Sequence, residues 1–202
     1  MIREDARDFS LVQRLDQLDL LARILPERVG SPVSVLSLAR DIEASPVGVR
    51  GWLRLFETLF LGFRLRPFHR KIHRAVKKEP KWYFLQWTFV EDPGARFENY
   101  LAVQLAAACS AWTEQGHGRF ELFYLRDQDR REVDFLLARD LRPVALVEAK
   151  LSPADFPSSL EHYCRRLDVP GFVVYPKGPI RREKGLGWTV PSSAFLERLI
   201  AE

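Results

Sequence analysis

Arg131-Glu132-Val133-Asp134-Phe135 and, a little further on, Val147-Glu148-Ala149-Lys150 decide how this chain reads. The first opens a run, Glu132-Val133-Asp134-Phe135-Leu136-Leu137-Ala138, that alternates polar and apolar at its start. The second closes an apolar run, Val144-Ala145-Leu146-Val147, abruptly in charges. Both patterns are those of short strands. Arg139-Asp140-Leu141-Arg142-Pro143 between them reads as a tight connection. A hairpin turning about Leu141 sets Asp134 opposite Glu148, where cross-strand Cβ atoms lie only about 4.5–5.5 Å apart. Side chains two apart on a strand share a face, so Lys150 projects beside Glu148. Two carboxylates and an ammonium thus converge at one end of an otherwise apolar sheet. Like charges that close repel, and a folded chain commonly keeps them for a cation.

Outward from the hairpin, residues 120–126 read as a preceding strand. Residues 97–112 read as a helix apolar on nearly every side, hence predicted to be buried (Leu101, Ala102, Val103, Leu105, Ala106, Ala107, Ala108). Glu98 falls in its first turn, where the helix dipole favours a carboxylate. After the hairpin come a helix over 157–167, a buried strand over 172–175 and a short helix over 193–200. The order from residue 97 is α-β-β-β-α-β. Pro93-Gly94 marks a seam, and the chain divides into an N-terminal domain, 1–88, and a second domain, 89–202.

In the N-terminal part, Leu11, Leu15, Leu18, Leu21 and Leu25 recur at threes and fours, predicting a helix over 8–29 closed by Pro26 and Gly30. A second short helix spans 36–42. Ser45-Pro46 then starts a third, to about residue 60, with a capping hydroxyl and proline at the first helical position. Extended segments follow over 61–68 and 82–85. Helix, short helix, tight turn, helix and two extended segments is the order of a winged helix-turn-helix. The third helix exposes Val47, Gly48, Arg50 and Arg54, a thin set for reading bases.

The net charge is only +4, but residues 61–81 hold four arginines, four lysines and the single acid Glu79, a local +7. Arg64, Arg66, Arg70, Lys71, Arg74, Lys77 and Lys78 form a strip suited to a phosphate backbone, or simply a solvated loop. His69 and His73 are spaced like a zinc pair but have no third ligand near them in sequence. Composition is that of an ordinary globular protein, 47% hydrophobic and 29% charged over 202 residues. No apolar stretch reaches the roughly 18 residues of a membrane span, and Met1-Ile2-Arg3-Glu4-Asp5 has no signal-peptide character, so a soluble cytoplasmic protein is expected. Cys109 and Cys164, in apolar helical contexts, are expected to be buried reduced thiols. No Gly-x4-Gly-Lys-Ser/Thr run is present, which excludes ATP hydrolysis by a P-loop in this chain.

Phe97-Glu98-Asn99, Glu132-Val133-Asp134-Phe135 and Glu148-Ala149-Lys150, preceded by Tyr83-Phe84-Leu85, resemble an uncharacterised domain found at the C-terminal end of many prokaryotic AAA+ ATPases. That domain looks like a winged helix joined to a PD-(D/E)XK restriction-endonuclease-like core, an α+β fold with a mixed sheet. The resemblance covers residues 30–175. It implies metal-dependent hydrolysis of DNA, with Mg²⁺ or Mn²⁺ held by Asp134 and Glu148 and by the Ala149 carbonyl. Lys150 would act on the attacking water and the phosphate, and Glu98 would reach the metal directly or through water. Gln86 stands where relatives commonly carry an aspartate. The nucleotide-binding module of the ATPase-linked relatives is missing here, so a separately encoded ATPase, or self-association, is the implied partnership. The competing readings are a catalytically inert DNA-binding or interaction module and a purely structural, oligomerising domain.

Overall fold

The structure, a computed structural model, describes residues 14–68, 79–183 and 187–201. Helix α1 covers residues 14–24 and tightens into a 3-10 turn at Leu25–Arg28; residues 8–13 of the expected helix lie outside the described residues. Helices α2 (Val35–Asp41) and α3 (Pro46–Thr58) each start on a serine hydroxyl, with Ser34 accepting from the Ser37 N–H and Ser45 from the Gly48 N–H. On α3, Val49, Leu53 and Phe56 recur at helical spacing and are buried. Strands β1 (Gly62–Leu65) and β2 (Lys81–Phe84) pair antiparallel; β1 is shorter than the extended segment expected over 61–68, and β2 starts one residue before the segment expected over 82–85. They approach so closely that a Cβ on Gly62 would lie 2.5 Å from the Tyr83 carbonyl oxygen.

Helix α4 (Pro93–Glu114) begins a full turn earlier than the apolar run suggests. Asp92 caps it, accepting from the Ala95 N–H at 2.8 Å, so Pro93-Gly94 are its first turn and not a linker. Only Leu101, Ala102, Leu105 and Cys109 form its buried apolar stripe, and Ala107 is exposed, so it is not buried on all sides. Alanines are ambiguous in a periodicity argument because they cost little on either face.

The strands that follow are β3 (Phe120–Arg126), β4 (Glu132–Arg139), β5 (Arg142–Ala149), β6 (Gly171–Tyr175), β7 (Arg181–Glu183) and β8 (Gly187–Pro191), with α5 (Ser158–Leu167) ahead of β6 and α6 (Ser192–Ala201) last. They form one mixed sheet in the order β3-β4-β5-β6-β8-β7, in which β5, β6 and β8 run parallel. The α-β-β-β-α-β order is present, but β7 and β8 extend it beyond what the sequence pattern predicts. β8 carries a fully buried Thr189, and its Gly187 lies so near Gly171 that a Cβ would fall 1.7 Å from the Gly171 oxygen.

The β4–β5 hairpin pairs Phe135 with Val147, Leu136 with Leu146 and Leu137 with Ala145, the register expected. Its connection is only Asp140-Leu141, both at positive φ (51° and 61°), and a bulge at Leu137/Ala138 corrects the offset. Successive residues then face opposite cores. Phe135, Leu137 and Val147 join a core continuous with Leu25, Leu53, Trp82, Leu101 and Leu105 of the N-terminal half and α4. Leu136, Ala138 and Leu146 pack against Leu160, Tyr163 and Cys164 of α5. Cys109 and Cys164 are buried and unpaired, and burial pushes their thiols up, to about 12 and about 11 respectively. Among the described residues no helix is long and apolar enough to cross a membrane.

One buried side chain fastens β2 to α4. The Asn99 amide accepts from the Phe84 N–H at 2.9 Å and donates to the Phe84 carbonyl at 2.6 Å, closing the free edge of β2. Asn99→Ala orphans both backbone groups and is expected to cost about 2–4 kcal/mol in urea unfolding. A loss well below 1 kcal/mol would mean that water replaces the amide.

Candidate functional site

Four elements meet at the open end of the hairpin. β4 supplies Glu132 and Asp134, β5 supplies Glu148 and Ala149 with Lys150 directly after it, α4 supplies Glu98, and β2 supplies Lys81 and Tyr83. Asp134 and Glu148 are locked across the strands. Asp134 Oδ2 accepts from the Ala149 N–H at 2.9 Å, and Glu148 Oε2 from the Asp134 N–H at 3.4 Å. Lys150 Nζ donates to Glu148 Oε1 at 2.8 Å, on the same strand face as the alternation requires. The three groups drawn together by the sequence argument are together.

Glu98 sits in the second turn of α4 and not in its first, so the helix dipole is not what holds it. Its Oε1 accepts from the Tyr83 hydroxyl at 2.6 Å and from Lys81 Nζ at 3.3 Å. Gly30, at φ +80°, lies against the same carboxylate: a Cβ there would be 2.8 Å from Glu98 Oε2. Lys81 also reaches Glu132 Oε1 at 2.7 Å and Asp134 Oδ1 at 3.7 Å. Its side chain is wholly buried, with Tyr124 5.5 Å away beneath the ammonium.

Lys81, Tyr83 and Glu132 are members of this cluster that the sequence reading did not single out. In sequence Lys81 stands out only as one of the eight basic residues over 61–81. The one available signal was alternation, since Lys81 and Tyr83 are two apart on a strand and share a face. Of the strip itself, Arg70, Lys71, Arg74, Lys77 and Lys78, and with them His69 and His73, lie outside the described residues. Arg50, Arg54 and Arg66 are exposed. Arg64 is not free for a phosphate, because its guanidinium forks onto Glu57, with Nε 2.7 Å from Oε1. Gln86 donates to Thr88 and is exposed. Tyr163 is a core residue whose hydroxyl points to the Arg131 carbonyl at 3.5 Å.

Among the described residues, four carboxylates and two ammoniums leave the cluster negative, and Arg126, 3.6 Å from Glu132, offsets only part of that. Burial, then the charges of Glu98 and Glu148, hold the Asp134 carboxyl well above the usual carboxylate range. Burial alone would pull Lys81 down, but Glu98, Asp134 and Glu132 outweigh it and raise it. Lys150 is raised in the same way, with Glu148 the main partner. Burial, then Glu98 and Asp134, push the Tyr83 phenol up, so it remains a donor.

The donor set suits a hard divalent cation: carboxylate oxygens on adjacent strands around a surplus of negative charge. Among the described residues no three His, Cys, Asp or Glu side chains close on one point as a complete ligand cage. Magnesium requires none, since it takes one or two carboxylates and keeps several waters. Asp134 and Glu148 meet that requirement.

Residues 93–195, a little over half of the chain, match the family described as Domain of unknown function (DUF4143), and the chain belongs to that family. The family is commonly associated with AAA-type ATPases. Residues 1–87 match a second family, Domain of unknown function (DUF8612). Neither a curated protein nor a solved structure matches the chain. Glu98, Glu132, Asp134, Glu148 and Lys150 fall in the first match, and Lys81 and Tyr83 in the second.

The raised Asp134 carboxyl fixes the sign of a pH effect. The folded chain holds a proton that the unfolded chain has already released. The stabilisation is complete below the ordinary carboxylate range and lost as pH rises through the folded value. Asp134→Asn keeps an acceptor for the Ala149 N–H and removes the charge. In chelator it is expected to melt higher than wild type near neutral pH, and the gap should close in acid. A variant that melts lower at every pH would show that Asp134 is stabilising as an anion.

Proposed function

We propose that the protein hydrolyses phosphodiester bonds of DNA with the help of a divalent metal ion. In this reading the C-terminal half is a PD-(D/E)XK nuclease-like core and the N-terminal half a winged helix-turn-helix. The observation that carries it is the hydrogen-bonded set of Asp134, Ala149, Glu148 and Lys150 at the rim of an apolar sheet. A surface salt bridge has no need of two partly buried carboxylates side by side.

Asp134 and Glu148, with the Ala149 carbonyl, would hold Mg²⁺ or Mn²⁺. The ion, when bound, lowers the pKa of a coordinated water and offsets charge on the phosphate. Lys150 is about two-fifths exposed while Glu148 grips its ammonium, so it can lean toward a phosphate oxygen or orient the incoming water. Tyr83 and Lys81 hold Glu98 beside the Asp134 side of the cluster, fixing that wall. Arg50, Arg54 and Arg66 offer phosphate contacts that carry little sequence information, and binding through them weakens steeply with salt.

Supercoiled plasmid incubated with Mg²⁺ or Mn²⁺ is expected to be nicked by the wild type. Asp134→Ala and Lys150→Ala are each expected to slow nicking by roughly a hundredfold or more. Equal rates in all three proteins would reveal a contaminant, and an inactive wild type would remove the enzymatic reading.

A second reading, an inert binding or docking module, is favoured by a separate observation. Leu59, Phe60, Leu61, Leu85, Trp87 and Phe89 are all exposed around the ends of β1 and β2, Phe60 at 78%. Soluble monomers rarely leave such apolar groups clustered, so a protein partner such as a separate ATPase suits this surface. DNA retardation that needs no metal, together with capture of such an ATPase, would favour it over cleavage.

A further inference from the structure

Lys81 calls for an explanation that neither half of the chain supplies alone. Its ammonium is withdrawn from water completely, which is unfavourable unless partners replace the lost hydration. Among the described residues its three carboxylate partners come from the other family's segment: Glu98 at 3.3 Å, Glu132 at 2.7 Å and Asp134 at 3.7 Å. Asp134 has the ammonium on its Oδ1 side and the Ala149 N–H on its Oδ2 side. In nucleases and phosphatases that use two ions, these lie about 3.5–4 Å apart. A second ion here would draw on Asp134 Oδ1, Glu98 Oε1 and Glu132 Oε1. That space is taken by Lys81 Nζ, which a like-charged ion can neither share nor approach.

We propose that Lys81 is a positioning residue that serves as a built-in cation, so the cluster takes one divalent ion, on the Asp134–Glu148–Ala149 side, and not two. This rests on the metal-dependent reading given above and specifies its stoichiometry. It also assigns the N-terminal half a part in the site beyond any grip on DNA. β2 delivers the charge that keeps three carboxylates of the C-terminal half in place.

The test is a titration of the full chain with Mn²⁺, reading the free ion by electron paramagnetic resonance. Wild type is expected to bind one ion per chain. Lys81→Ala opens the space and leaves three carboxylates without their shared ammonium, and is expected to bind two. Two ions on the wild type would overturn the inference while leaving the metal-dependent reading intact. No ion on the wild type would overturn that reading and the inference with it. A folded Lys81→Ala that still binds one ion with unchanged affinity would show that Lys81 holds no cation position. Should Lys81→Ala fail to fold in chelator, melting it with excess Mn²⁺ decides: restored folding supports the inference, and failure to restore it counts against it.

Discussion

Opposite charges buried where β2 meets β4 are the constraint on which the rest of this structure leans. Lys81 enters from the N-terminal half and, among the described residues, finds its carboxylate partners in the C-terminal half. Removing water from such groups is costly, and Coulomb attraction repays it only when geometry and further hydrogen bonds are good. Here they are, because Tyr83 donates to the same Glu98 oxygen and Asn99, the next residue along α4, clamps Phe84 of the same strand. The two halves share an apolar core as well, with Trp82, Leu101 and Phe135 in one cluster. An apolar contact would have joined them equally well. A charged one also fixes the angle and register at which β2 approaches the sheet, since a small displacement of Lys81 strands a buried ion.

The hairpin supplies the complementary constraint. A one-residue slip in its register would carry every side chain to the opposite face. The Asp140-Leu141 turn and the bulge at Leu137/Ala138 have offsets that cancel, restoring Phe135 opposite Val147 and drawing Asp134 to the backbone of Ala149. The apolar alternation on both sides of the sheet enforces this pairing from within. The charged end of the hairpin is positioned by its greasy middle.

This is also why the hairpin was legible and other parts were not. Its strands announce themselves by apolar runs that stop in charges, and pairing within a hairpin is local, so Asp134, Glu148 and Lys150 could be brought together from sequence. The turn itself was placed about Leu141, but its two-residue length was not legible, because Asp140 and Leu141 take positive φ without the glycine or asparagine that usually marks it. The start of α4 was hidden because Pro93-Gly94 reads equally as linker and as first turn, and only the Asp92 cap decides. β7 and β8 depend on pairing with a strand that precedes them and on a backbone approach at Gly171 and Gly187 that no periodicity encodes. Lys81 was the least legible of all. A lysine at the edge of a basic run looks like solvated surface, and only the tertiary contacts with Glu98 and Glu132 reveal a buried ion.

The cluster is not arranged for stability. Even with two ammoniums and Arg126 nearby, it gathers more carboxylates than cations among the described residues, and burial, then the charges of Glu98 and Glu148, hold the Asp134 carboxyl well above the usual range. A chain under no demand beyond folding would relieve it by replacing one carboxylate with a neutral side chain of similar shape. Instead the carboxylates gather at the margin of the sheet, beside the partly exposed Lys150. Around it every neighbouring group is held in place: Glu98 against Gly30 and Tyr83, Asp134 against Ala149, Glu148 against Lys150. Carboxylates outnumbering cations at the rim of a sheet are what the proposed metal-dependent site requires, so this imbalance supports that proposal more strongly than any single motif does.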